Sequence, residues 1–142
     1  MTGWSFADVW EIVANAIPDA PALVHGDRVV DWRTFDAHAN GIAATLLDAG
    51  LARQDKVAQY LYNGPEYIET LYATWKAALV PVNTNYRYTD DEIVALWDNA
   101  DVRAVVFHAD LAATVGRIRD RLPAIERQRV VDDERNARAG RI

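Results

Sequence analysis

A chain of 142 residues with 51% hydrophobic and 25% charged side chains has the composition of one ordinary soluble domain, so a disordered chain is excluded as the default. No apolar run approaches the roughly 18 residues that a membrane span needs, and the absence of cysteine excludes disulfides and thiolate chemistry. The net charge of −6 is uneven: residues 1–116 hold 7 basic and 16 acidic side chains, whereas 117–142 hold 8 Arg and 5 acidic ones. The acidic body argues against a nucleic-acid backbone as partner, and the Arg-rich end reads as a solvated segment.

The N-terminus lacks the basic start of a secretory signal, which gives a cytoplasmic expectation. From Ser5 the pattern predicts a helix over 6–17, with Ser5 as cap and Asp8 at the capping-box position. Phe6, Val9, Trp10, Val13 and Ile17 form its expected inward face. Gly26-Asp27 between two short apolar runs predicts a β-hairpin. Asp31 then reads as the cap of a long helix whose apolar stripe includes Trp32, Phe35, Ala39, Ile42 and Leu46, with Gly50 at its C-terminal stop.

Residues 57–62 predict a strand. Asn63-Gly64-Pro65 opens a helix expected to carry Tyr67, Ile68, Leu71, Tyr72, Trp75, Ala78 and Leu79. A second strand follows at 80–82. The capping box Thr89–Glu92 opens a helix with Ile93, Leu96, Trp97 and Ala100 on one face. A third strand is predicted at 102–107, then a helix capped by Asp110, then a fourth strand around Val130-Val131. Alternating strands and helices with short connections imply an α/β fold, a parallel sheet with flanking helices, preceded by the N-terminal helix and hairpin. The expected domain runs over 1–133, and 134–142 lack the apolar content to fold.

The chemistry-bearing residues are sparse. The seven glycines are scattered, so no phosphate cradle of clustered glycines is present, and the single serine, Ser5, is spoken for as a cap. His25, His38 and His108 have no metal-ligand spacing, and His108-Ala109-Asp110 reads as a solvated loop and helix cap. Asp90, Asp91 and Glu92 suit the positive end of a helix with no ligand. Lys56 and Lys76 have no sequence neighbour that marks them as catalytic. One stretch stands out. Asn83-Thr84-Asn85-Tyr86-Arg87-Tyr88 is polar and aromatic and lies just past a strand, at the edge where open parallel sheets bind ligands.

The order of motifs resembles the N-terminal part of the AMP-dependent synthetase/ligase family, the adenylate-forming acyl-CoA synthetases, and within it the fatty-acid–CoA ligases. The resemblance is carried by Pro18–Leu23, the run from Val30 to Asn40 that is similar to a first core motif, Asp55–Ala58, Tyr62–Tyr67, and Lys76–Asn83, similar to a second core motif. The family usually has glycine where this chain has Ala78 or Leu79. The resemblance implies ATP-dependent formation of an acyl-adenylate with magnesium, then transfer of the fatty acyl group to coenzyme A. The family's phosphate loop and catalytic lysines match no position here, so no catalytic residue carries over and no cofactor is assigned to this chain. What carries over is the loop position: Asn85, Tyr86 and Arg87 are the expected contacts on the coenzyme A route. Arg135–Ile142 does not resemble the expected continuation, as an early stop or shifted frame would produce. The resulting expectation is a truncated ligase, inactive alone, that associates with itself or with the missing C-terminal part. The alternatives are a non-catalytic interaction module and one half of a split ligase.

Overall fold

The computed structural model describes residues 4–122 and 125, and residues 127–131 in their backbone. Its centre is a sheet of four parallel strands in the order β4-β3-β5-β6: β3 (Lys56–Tyr60), β4 (Val80–Asn83), β5 (Val102–His108) and β6 (Arg127–Val131). On one face Val57, Leu61, Ala104 and Val106 pack against α2 (Trp32–Asp48) and α3 (Pro65–Lys76). On the other, Ala58, Tyr60, Val105 and Phe107 pack against α4 (Asp90–Asn99) and α5 (Ala112–Ile118). Both faces are covered, which is why β3 and β5 are nearly all buried rather than alternating between buried and exposed. The α/β class with helices on both sides is as the sequence implies; the expected tail at 134–142 lies outside the described residues.

The local signals produce the elements they predict. The Ser5–Asp8 and Thr89–Glu92 capping boxes both close at the starts of α1 (Phe6–Ala16) and α4. The Asp31 carboxylate accepts the Thr34 N–H at 2.7 Å to start α2. Strands β1 (Pro21–His25) and β2 (Arg28–Asp31) pair antiparallel across Gly26-Asp27, with Gly26 at φ 60° supplying the turn.

Three expectations are corrected. The inward face of α1 is Ala7, Trp10 and Ala14, whereas Phe6, Val9 and Ile17 are exposed. Trp10 enters an aromatic cluster with Trp32, Phe35, Tyr72 and Trp75, at centroid distances of 5.1–6.3 Å, and the small alanines beside it let the helix approach. The apolar arc of α1 is simply wider than its contact. Helix α3 ends at Lys76, so Ala78 and Leu79 lie beyond it; Ala78 turns the chain at φ 54°. Because α3 lies between α2 and the sheet, its most buried positions include Thr70, Ala73, Thr74 and Glu69 as well as Tyr72, rather than one large apolar stripe. Finally, the cap after β5 is His108, whose Nδ1 accepts the Asp110 N–H at 3.2 Å, and a short 3-10 turn precedes α5.

Candidate functional site

Parallel pairing of β3 with β4 (Lys56 opposite Val80, Gln59 opposite Asn83) brings the segments that leave both strands to the same edge of the sheet. Residues 61–63 leave β3 and residues 84–88 leave β4, and between them opens a cleft of about 470 Å³. Its lining includes Asn63, Tyr67, Asn83, Asn85, Tyr86 and Arg87.

The loop after β4 is held by a hierarchy of bonds. Thr84 is buried; its N–H donates to the Gln59 carbonyl at 3.1 Å, and its hydroxyl accepts the Trp97 indole N–H at 2.8 Å. From that anchor the chain makes a turn in which the Tyr88 N–H donates to the Asn85 carbonyl at 3.0 Å, while the Asn85 side chain accepts the Arg87 N–H at 2.9 Å. Asn85 is thereby committed through its carbonyl oxygen to shaping the turn. Tyr86 rests edge-on against Tyr62 (4.9 Å), and the Arg87 guanidinium lies 5.5 Å from the Tyr86 ring centroid. Tyr62 in turn packs against His108 at 4.8 Å, with the two rings tilted by 57°. A row Arg87–Tyr86–Tyr62–His108 therefore crosses the carboxyl ends of three strands.

The electrostatics suit binding rather than bond-breaking. The lining offers amide groups, phenol hydroxyls and one guanidinium. The Tyr67 phenol is a neutral hydrogen-bond donor at physiological pH, and burial raises its pKa further above the ordinary value. A ligand with acceptor oxygens or negative charge meets donors here.

The structure thus places Asn85, Tyr86 and Arg87 together on one wall of this cleft. His108 departs from the sequence reading: it is buried at the end of β5, because that strand runs one residue further than its apolar pattern, and only Asp110 is exposed. Tyr62, Asn63 and Tyr67 were legible only as core or turn residues. The signal that places them in the site is that Tyr62-Asn63 follows β3 as Asn83-Thr84 closes β4. The acidic cluster serves the fold: Asp90 receives two bonds from Arg117 at 2.9 and 3.0 Å, Asp91 pairs with Arg121, and Glu92 closes its capping box. Among the described residues no group of three or more His, Asp or Glu could hold a metal ion, and no helix is long and apolar enough to cross a membrane.

The family described as AMP-binding enzyme matches residues 10–141. A medium/long-chain-fatty-acid–CoA/3-oxocholest-4-en-26-oate–CoA ligase of Mycobacterium marinum is 32% identical over 129 residues, which is 91% of this chain and 24% of that protein. Medium-chain acyl-CoA ligase Mig of Mycobacterium avium is 32% identical, covering 92% of this chain and 26% of the relative. The chain thus spans about a quarter of the length of these relatives. The fold is also that of the N-terminal domain of FACL13 from Mycobacterium tuberculosis, with a TM-score of 0.84 at 21% identity, covering 97% of this chain and 37% of that one.

Proposed function

Because the chain belongs to the AMP-binding enzyme family, we propose that it forms the opening portion of a fatty-acid–CoA ligase architecture. In that architecture a carboxylate is activated with ATP and the acyl group passes to the thiol of coenzyme A. This segment contributes scaffold and one wall of the coenzyme A route, in a cytoplasmic setting where both nucleotides are available. The observation that carries the reading is the cleft at the carboxyl ends of β3 and β4, lined by donors and by Arg87, in a chain whose relatives are named fatty-acid–CoA ligases. Arg87 is suited to a phosphate group of coenzyme A through charge-assisted hydrogen bonds. The Tyr86 ring offers a face for a planar base, and Asn85 holds the turn that presents both. The ATP and magnesium chemistry belongs to sequence elements that these 142 residues do not contain, so the chain by itself performs no adenylation. A second reading, an interaction module or one half of a split ligase, is favoured by one observation, the exposed apolar face of α1.

Titration of the purified chain with coenzyme A tests the first reading. Amide NMR shifts should concentrate at residues 83–88, and Arg87→Ala should weaken binding about tenfold or more, the worth of a hydrogen bond to a charged group. Shifts confined to another surface, or none at millimolar coenzyme A, would refute it. ATP–pyrophosphate exchange with fatty acids should be absent, and measurable exchange would show that adenylation does not need the missing elements.

A further inference from the structure

Helix α1 is apolar around more than half of its circumference, and only part of that arc faces the protein. Ala7, Trp10 and Ala14 point inward, while Val9 is 47%, Ile12 52%, Phe6 70% and the adjoining Trp4 78% exposed. Phe6 rests on Trp75 at 5.1 Å, and with Trp4, Val9 and Trp75 it lines a shallow apolar cleft of about 420 Å³ whose rim carries Arg53.

Two features say what fits this face. First, Ser5, Val9, Ile12 and Ala16, all exposed, recur at spacings of four, three and four, the seam spacing of paired helices. The seam is symmetric about the midpoint of Trp10 and Glu11. In an antiparallel pair Val9 meets Ile12 of the other copy and Ser5 meets its Ala16, with the small residues at the ends where the flanking Phe6 and Trp4 need room. Second, the charges are complementary under the same symmetry. Arg53, beside the N-terminal end of α1, would meet the C-terminal end of the other α1, which is the negative pole of that helix and has no basic residue in its last turn. Large aromatic side chains offer ~150–250 Å² each when fully exposed, so Trp4 and Phe6, with the half-exposed Val9 and Ile12, present on the order of 450 Å² of apolar surface per copy. That is large for one patch on a monomer, and doubled, at about 900 Å², it matches a small, transient interface rather than a standard-sized one. A lipid surface fits less well, because α1 carries Asp8 and Glu11 and no Lys or Arg.

We propose that α1 is a self-docking surface, pairing antiparallel with α1 of a second copy about a two-fold axis. The pairing is independent of the ligase reading. Sedimentation velocity of the full chain from about 1 to 200 μM should show a monomer–dimer equilibrium of micromolar strength. Val9→Glu and Ile12→Glu, at exposed positions, should each raise the dissociation constant more than tenfold with unchanged circular dichroism. Val24→Glu, on the exposed hairpin, should leave it unchanged. A monomer at every concentration, or dissociation by Val24→Glu and not by Val9→Glu, would overturn the proposal. Since the chain has no cysteine, disulfide trapping gives the orientation. In an equimolar mixture of Val9→Cys and Ile12→Cys chains the mixed disulfide should well exceed the one-half share that random pairing gives; a mixed share at or below one half, or a dominant Val9–Val9 product, would rule out the antiparallel pair.

Discussion

Helices α2, α3 and α4 leave their last turns through the left-handed region at Gly50 (φ 84°), Ala78 (φ 54°) and Asp101 (φ 53°). After α3 both bonds of a Schellman turn are present: the Ala78 N–H donates to the Trp75 carbonyl at 3.1 Å and the Leu79 N–H to the Thr74 carbonyl at 2.8 Å, with Leu79 buried behind it. Only glycine occupies this position without the steric cost of a Cβ, and Ala78 is exposed, so its methyl group gains little in return. Ala78→Gly should therefore raise stability by about 0.5–1 kcal/mol, the relief of left-handed strain less the greater freedom of the unfolded chain. A higher urea midpoint at unchanged m-value would register it; a lower midpoint would mean that the strain is not where the backbone puts it. The sequence points to this position only through resemblance, as Ala78 or Leu79, because φ is not readable from an alanine. Lys76 is the counterpart at the same scale. Nothing beside it in sequence marks it, yet its side chain is 7% exposed and pairs with Glu11 at 2.5 Å and Asp36 at 2.9 Å, residues 65 and 40 positions away. Tyr72 also donates to Asp36 at 2.6 Å. This network joins α1, α2 and α3, and only the packing of three helices creates it.

At the scale of elements, β4 forms one edge of the sheet, and its register decides how exposed that edge is. The N–H groups of Val80 and Thr84 donate to β3 through Asp55 and Gln59, so by alternation Pro81 and Asn83 face outward. Pro81 thus stands where an outward N–H would otherwise invite another strand, a common device for blunting an edge. Pro81→Val should restore that donor and raise the β-propensity of the edge. Light scattering on mild heating should rise earlier in the variant, while the Val9- and Ile12-dependent dimer persists. Unchanged scattering would show that the neighbouring loops, not the proline, protect β4. Caps and turns at element ends were legible because each is decided within four residues, as at Ser5–Asp8, Gly26-Asp27 and Thr89–Glu92. The face of α1 was not, since hydrophobic periodicity gives an arc, and Trp32, Phe35, Tyr72 and Trp75 choose which part of it turns inward. The cleft lies between these cases. The loop at 83–88 shows its character locally, whereas its partners Tyr62 and Tyr67 join it only through the pairing of β3 with β4.

For the molecule as a whole, pH is the lever that acts on the helices of both faces together. Among the described residues four aspartates are held below their ordinary carboxyl value. Asp8 and Asp31 are lowered first by backbone N–H donors at the starts of α1 and α2, and Asp90 by hydrogen bonds from Arg117 that tie α4 to α5. At Asp36 burial pushes the other way, but hydrogen bonds from Tyr72, Lys76 and Asn40 and the charge of Lys76 outweigh it. A carboxyl that binds its proton less readily when folded than when unfolded contributes stability above its unfolded value, near 3.8, and loses that contribution as pH falls through the lower folded value. The melting temperature should therefore stay nearly level from neutral pH to about 5 and drop steeply below about 4, where these four carboxyls take up protons. Asp36→Asn separates the internal network from the exposed caps. The variant should melt lower at pH 7, and its deficit should shrink between pH 5 and 3, as the parent loses the charge that the variant never had. A deficit that stays constant across that range would mean that Asp36 acts through packing alone, and that the Glu11–Lys76–Asp36 network holds α1 in place by shape rather than by charge.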